Sequence, residues 1–383
     1  MRILDLQIPA ERDLAQSLRA QAAMPEQVPA TVSQIIADVR ARGDEVVREL
    51  TAKFDKAELA ADGLFLSGEQ WDELAARCPA EVRAALELAA QRVRAFHQAQ
   101  LPRSFDQELP DGGRLQSLIL PLARAACYVP GGRAAYPSTV IMTATLARLC
   151  GVGEVIVATP PRPDGSILPE VAAAARIAGA HRILRAGGAQ AVAALALGTQ
   201  TIPRVDVIVG PGNAYVTEAK KQLSGEVRID SLAGPTEVVI VADDGANPQW
   251  VAADLIAQAE HDPLALAVLV TPSRALAESV QQAVEVELSA HPTPIARESL
   301  EARGALVIAG SLDAALAYAD AFAAEHLQLS LRDPRAALPK VPRAAAVFLG
   351  DHAPVPVGDY LAGPNHTLPT SGTARFASPL SAL

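Results

Sequence analysis

Cysteine is scarce, three in 383 residues. Cys78, Cys127 and Cys150 have neither metal-site nor redox spacing. That usage fits a reducing cytoplasm, with all three read as buried structural thiols. Runs of positive charge are also missing, the net charge is -10, and no stretch interleaves basic with aromatic residues. A nucleic-acid partner is therefore excluded, for want of groups to neutralise phosphates. Long apolar runs are lacking too. The longest uncharged one, Ala186 to Pro203, is broken by three Gly, two Gln and two Thr, so no membrane span is expected. The opening Met1-Arg-Ile-Leu-Asp has no apolar core behind a charged start, which excludes a signal peptide. No period of 20 to 50 residues recurs. Finally, the Gly-x-Gly-x-x-Gly fingerprint is absent. Gly151-Val-Gly153 follows a helix instead of a strand and lacks the third glycine, so it reads as a helix C-cap.

What is present describes a globular α/β protein, 50% hydrophobic and 20% charged, and too long for one core, so two domains are expected. The chain reads as helical to about Gln100, with Val32, Ile35, Ile36, Val39, Val46, Val47 and Leu50 at helical spacing. Met24-Pro-Glu-Gln-Val-Pro cuts off a short first helix, an arm over residues 1–23 free to pack elsewhere, a partner subunit included. Glu108 to Leu122 reads as a hairpin turning at Pro110-Asp-Gly-Gly-Arg114. From Cys127 onward strands and helices alternate. Strands are expected at Val155–Thr159, Arg182–Leu184, Val205–Val209, Val238–Val241, Leu266–Val270, Ala305–Ile308 and Leu327–Leu331. Such βαβ units predict two doubly wound, Rossmann-like parallel-sheet domains with a helical N-terminal region. The economical division inserts residues 127–236 into a discontinuous first domain of residues 24–126 plus 237–375, leaving 376–383 as a short C-terminal remnant.

Loops after strands are where open α/β sheets bind ligands. Gly210-Pro-Gly-Asn213 follows one strand and opens a helix. Asn213 can cap that helix, and free N–H groups there suit an anion such as a pyrophosphate, although such a loop is as readily a tight turn. Gly187-Gly-Ala-Gln190 repeats the design, with the Gln190 amide available to a ribose or base edge. Near the end of a helical run starting at Pro248, Gln258 and His261 stand three residues apart. An amide oxygen and an imidazole on one helix face can share a divalent cation, or His261 can simply cap the helix. Glu325-His326 lies between a helix and a strand, so its side chains can serve two proton transfers, or be a helix-ending histidine beside a solvated glutamate. Gly358-Asp-Tyr-Leu-Ala-Gly-Pro-Asn-His366 offers Asp359, a negative charge for a zinc site, and His366.

Taken together and in order, several motifs become specific. They are Cys127-Tyr-Val-Pro-Gly-Gly132, Tyr136-Pro-Ser-Thr139, Gly187-Gly-Ala-Gln190, Gly210-Pro-Gly-Asn213, Ala233-Gly-Pro-Thr-Glu237, Gln258-Ala-Glu-His261, Glu325-His326-Leu327 and the Gly358–His366 loop. The chain resembles the histidinol dehydrogenase family from near Met1 to about Leu380. The resemblance implies NAD-dependent oxidation of L-histidinol through the aldehyde to L-histidine, in histidine biosynthesis, by a cytoplasmic homodimer with one zinc per subunit. It implies Gln258, His261 and Asp359 as zinc ligands and Tyr128, Gln190 and Asn213 as NAD contacts. Thr236 would touch substrate together with Gln258, His261, His326 and Asp359. His326 would take the alcohol proton, and Glu325 would activate the water that attacks the aldehyde. Family members usually carry a further tail whose Glu and His reach the partner's site, the His as a zinc ligand. This chain stops at Leu383, either as a natural short form or as a truncated or frameshifted product, with His366 as the candidate substitute. Two other readings remain: a related zinc and NAD alcohol dehydrogenase with another small hydroxylated substrate, or a non-catalytic subunit that needs a partner chain.

Overall fold

The computed structural model describes residues 1–21, 25–131 and 136–383. The last residues of the expected N-terminal arm, 22–23, with Met24, and Gly132 and Arg133 of the loop after Tyr128, lie outside the described residues. The chain forms two compact units. The first comprises Met1–Met24, Ala233–Gly358 and Leu368–Pro379, and the second Pro25–Leu232, Asp359–Thr367 and Leu380–Leu383.

In chain order the early strands are β1 (Arg2–Asp5), β2 (Phe105–Glu108), β3 (Arg114–Ser117), β4 (Arg124–Tyr128), β5 (Glu154–Thr159) and β6 (Arg182–Arg185). There follow β7 (Val207–Val209), β8 (Arg228–Ile229), β9 (Glu237–Ala242), β10 (Leu266–Thr271), β11 (Ala305–Ile308), β12 (His326–Ser330) and β13 (Ala346–Leu349).

In the first unit six parallel strands run in the order β1-β11-β10-β9-β12-β13. Strands β9 and β10 are buried along their whole length, as a parallel sheet covered on both faces requires. Because side chains alternate, Val238 and Ile240 join a core with the helices Pro248–Ala259, Arg274–Ala290 and Pro294–Ala302, through Leu255, Val280 and Leu300. Val239 and Val241 face the opposite core, with Ala15 of helix Pro9–Ser17 and Leu316 and Phe322 of helix Leu312–Phe322. The first residues are therefore not only a helical arm. They form an edge strand paired to β11, Leu4 opposite Val307, in the sheet of their own chain.

The second unit has five parallel strands in the order β6-β5-β4-β7-β8, with the β2-β3 hairpin as a separate antiparallel pair. The expected doubly wound parallel architecture is thus present in both units. The expected division of the chain is not. Residues 25–126, assigned above to the layer that follows residue 236, belong to the second unit. The reason is coverage: Val28, Val32, Val39, Val46 and Val47 share a core with Ala126, Tyr128, Ile156 and Leu184. On the other face, Trp71, Leu74, Leu86 and Val93 pack with Cys127, Val155 and Val157. The N-terminal helices supply the cover that this sheet needs on both sides. Strand β4, Arg-Ala-Ala-Cys-Tyr, went unassigned because it contains no β-branched residue. The three cysteines are free, Cys78 and Cys127 buried and Cys150 half-buried. No described helix is long and apolar enough to cross a membrane.

Candidate active site

Within the second unit, β4 and β7 are neighbours in the sheet but β5 and β6 come between them in the chain. The chain leaves β4 toward one side of the sheet and returns to β7 on the other, which opens a crevice at their carboxyl ends. Tyr128 is the last residue of β4, and Gly210-Pro-Gly-Asn213 follows β7. Gln190 sits in the first turn of helix Gly188–Leu197, after β6. Tyr128, Gln190 and Asn213 line one cleft of 1170 Å³, somewhat larger than the usual small-molecule site of up to about 1,000 Å³.

The cleft walls are fixed in detail. The Tyr128 hydroxyl accepts the Gly188 N–H at 3.0 Å, and burial pushes the phenol up to about 12, so it stays neutral. Asn213 caps helix Ala214–Leu223, its Oδ1 accepting from the N–H groups of Tyr215 at 3.1 Å and Val216 at 3.2 Å. Those two donors, expected to be free for an anion, are therefore taken, and the Asn213 Nδ2 is the group left to offer. Gly210 has φ +114°, and a Cβ there would lie 2.1 Å from the Tyr128 carbonyl oxygen, so only glycine fits. Asp230 accepts the Gly210 N–H at 2.7 Å, and the Lys220 ammonium donates to the Gly210 carbonyl. Lys220 and Asp230 pair with each other at 2.7 Å, their side chains 3% and 4% exposed. This buried clamp escaped the sequence reading. A signal existed, since Lys220 falls four residues after the buried Val216 on one helix face.

In the first unit the same kind of switch point separates β9 from β12, but the polar residues gather at the amino ends of these strands. His326 begins β12 with Glu325 just before it, and Glu237 begins β9 with Thr236 just before it. The Thr236 hydroxyl donates to Glu325 Oε2 at 2.7 Å, and the Glu237 N–H donates to the same oxygen at 2.9 Å. Gln258 Nε2 donates to Thr236 Oγ1 at 2.7 Å. The directions are mutually determined: an ionised carboxylate only accepts, so the hydroxyl donates to it and accepts from the amide. Gln258 Oε1 is then the amide atom left for a ligand. Burial raises the Glu325 carboxyl above the ordinary carboxylate range, opposed by the neighbouring His326 imidazole and by the bonds from Thr236 and Glu237. His326 Nδ1 lies 3.2 Å from the Glu237 carbonyl oxygen. A carbonyl cannot donate, so Nδ1 carries the proton and Nε2 is the basic nitrogen. Glu325 Oε2 is 3.6 Å from that Nδ1.

Arg19 and Glu237 were not anticipated. The Arg19 guanidinium holds the Glu237 carboxylate at two points, 3.0 and 2.8 Å, and Glu237 Oε1 accepts the Glu325 N–H at 3.3 Å. The pair spans 218 positions, a separation at which a single sequence carries no signal.

Helix Pro248–Ala259 starts where expected and ends one residue after Gln258, with Glu260 as C-cap. Its N-cap Asn247 bonds the N–H groups of Gln249 and Trp250. His261 therefore lies just past the helix and is exposed, while Gln258 is buried. As a donor set, an amide oxygen and an imidazole suit zinc. Among the described residues no three His, Cys, Asp or Glu side chains cluster closely enough to hold a metal. Asp359 is the penultimate residue of the short helix Val355–Tyr360 and, with His366, belongs to the second unit. There the His366 Nδ1 lies 2.9 Å from the Asp359 carbonyl oxygen, and Nε2 lies 3.5 Å from Thr139 Oγ1.

A doubly wound sheet with a large crevice at its switch point, and a buried carboxylate–imidazole pair on a second such sheet, define a two-domain α/β enzyme equipped for proton transfer. The histidinol dehydrogenase family model matches residues 18–383, and the chain belongs to that family. It is 52% identical over 353 residues to a histidinol dehydrogenase from Synechococcus sp., covering 92% of this chain and 81% of that protein. It is 46% identical over 368 residues to one from Methanosarcina barkeri, covering 96% and 84%. The crystal structure of histidinol dehydrogenase from Elizabethkingia anophelis superposes with a TM-score of 0.92 at 32% identity, covering 100% of this chain and 88% of that one. Membership makes the chain an NAD-dependent oxidoreductase.

Proposed function

We propose that this protein oxidises L-histidinol to L-histidine through the aldehyde, with His326 and Glu325 as the proton-transfer residues. The observation that carries the reading is the directed chain Gln258 to Thr236 to Glu325 beside His326. Hydride can leave the alcohol carbon only as the hydroxyl proton departs. Nε2 of His326, made basic by the Nδ1 bond to the Glu237 carbonyl, takes that proton. The second oxidation consumes the aldehyde hydrate, so a water must be deprotonated, and Glu325 is the base for it. A carboxyl lifted above its usual range by burial is the stronger base. The Thr236 hydroxyl and the Glu237 N–H hold one of its oxygens in place, while no hydrogen bond engages Oε1 among the described residues. NAD, when bound, supplies the hydride acceptor, and Tyr128, Gln190 and Asn213 are the residues proposed to bind it.

Zinc, when bound, would anchor the amino and imidazole nitrogens of the substrate. Gln258 Oε1 and the His261 imidazole are the proposed donors of the first unit; Asp359 is carried as the third ligand by the family resemblance. The homodimer is likewise a proposal, checked by the mass of the protein in solution.

With L-histidinol, NAD and zinc, the purified protein is expected to yield about two NADH per L-histidine, one per oxidation. A zinc-loaded preparation that reduces no NAD with this alcohol rejects the reading. Metal content gives a separate readout: Gln258→Ala and His261→Ala should each lower the zinc retained per chain after dialysis, and an unchanged content would remove both from the ligand set.

A further inference from the structure

Asp55 is the last residue of helix Asp44–Asp55 and lines the same cleft as Tyr128, Gln190 and Asn213. Everything about its position costs stability. A carboxylate at a helix C-terminus faces the negative end of the macrodipole. Its Oδ2 is buried and has no hydrogen-bond partner, which leaves an acceptor desolvated without compensation. Burial pushes the carboxyl up to about 6, and its charge raises the Tyr128 phenol in turn. The next residue, Lys56, turns the chain in the left-handed region at φ 59° and directs its ammonium to the Lys53 carbonyl at 2.8 Å, not to Asp55. A buried, unpaired acceptor in a ligand cleft is explained when the ligand brings the donors.

We propose that Asp55 receives the vicinal hydroxyls of a ribose of the bound dinucleotide and makes the cleft selective for NAD over its 2′-phosphorylated form. A carboxylate accepts two O–H groups at once, and a 2′-phosphate in their place sets like charge against it in a partly desolvated site. Doubly wound domains with the standard fingerprint carry such an acid about 20 residues beyond the glycine loop. Here the acid arrives instead from helix Asp44–Asp55, which precedes the sheet in the chain. The inference rests on the reading that Tyr128, Gln190 and Asn213 bind the cofactor.

Direct binding of ADP-ribose and 2′-phospho-ADP-ribose tests it without turnover, by calorimetry on the full chain. The unaltered protein should bind ADP-ribose more tightly. Asp55→Asn should weaken ADP-ribose about 10-fold and leave the phosphorylated probe unchanged or tighter, while the melting temperature stays level or rises because an uncompensated charge is gone. Asp55→Ser should narrow the preference in the same way. A purely structural Asp55 would instead lower the melting temperature and leave the preference intact, which overturns the proposal. Gln190→Ala and Asn213→Ala separate the two layers of argument. If they weaken ADP-ribose while Asp55→Asn preserves the preference, only the role of Asp55 falls. If neither they nor the unaltered chain responds to ADP-ribose, the cofactor cleft falls with it.

Discussion

The two units wind their strands in the same order and put their polar residues at opposite ends. In the second unit, β6-β5-β4-β7-β8 carries Tyr128 and the Gly210–Asn213 loop at the carboxyl ends. In the first, β11-β10-β9-β12-β13 carries Thr236, Glu325 and His326 at the amino ends. The difference follows from helix polarity. Carboxyl ends of strands feed helix N-termini, whose positive partial charge suits a pyrophosphate. Amino ends receive helix C-termini. Helix Pro248–Ala259 delivers Gln258 there, and helix Leu312–Phe322 ends just before Glu325. In the proposed reaction that negative end would favour the imidazolium that forms on His326. On the proposed function, one topology serves the dinucleotide at one end of its strands and the proton-transfer pair at the other.

If this division holds, removing the base should damage chemistry and spare cofactor binding. His326→Ala is expected to lower kcat by about 10³-fold, within the usual range for a positioned general base, with the affinity for NAD within about two-fold of the parent. Rapid-quench turnover and NAD titration check it. A parallel loss of NAD affinity would merge the two sites and break the comparison.

The clamp under Gly210 gives the next largest effect. Lys220→Met strands the buried Asp230 carboxylate and should cost about 3–5 kcal/mol in denaturant unfolding of the second unit. Lys220→Met with Asp230→Leu should recover part of that stability. It should not recover NAD affinity, because the Gly210 N–H still lacks its acceptor. Full recovery of both would make the pair a packing device with no bearing on the loop.

Much of this division was legible before the structure. Alternating apolar strands and helices after Cys127 gave the doubly wound class, and attention to loops after strands picked out Gln190 and Asn213, which line the cleft. The same expectation misdescribes Glu325, which precedes its strand; only the chemistry of a Glu-His pair and the family resemblance pointed there. Membership of residues 25–126 was not legible. Val32 and Val39 declare that a helix face is buried, but periodicity does not name the sheet that buries it. Arg19 was invisible for a related reason, since its partner Glu237 lies on a strand formed far along the chain.

Glu325 sharpens the contrast through pH. Its folded carboxyl is raised, so the native state binds the proton more tightly than the unfolded chain. Stability therefore falls as pH climbs from the ordinary glutamate value, about 4.3, towards the raised value, and stays reduced above it. Glu325→Gln removes the charge and can keep both acceptor bonds. It should unfold about 2–4 °C higher than the parent at neutral pH, the shift expected for about 1 kcal/mol in a domain of this size. The gap should close below pH ~4, and turnover of the aldehyde should be lost. A gain that is the same at every pH would mean that burial of the charge is not its source.

The smallest expected effect tests the opposite end. Tyr128 is neutral, and its hydroxyl accepts the Gly188 N–H. Tyr128→Phe leaves that N–H at the helix start without its acceptor, a loss of about 1 kcal/mol. A cleft-lining hydroxyl should also be worth a few-fold in KM for NAD, with kcat unchanged, because it acts equally on ground and transition states. A fall in kcat as large as that of His326→Ala would give the neutral end a share in proton transfer, and the separation of anion binding from base chemistry along the strands would no longer hold.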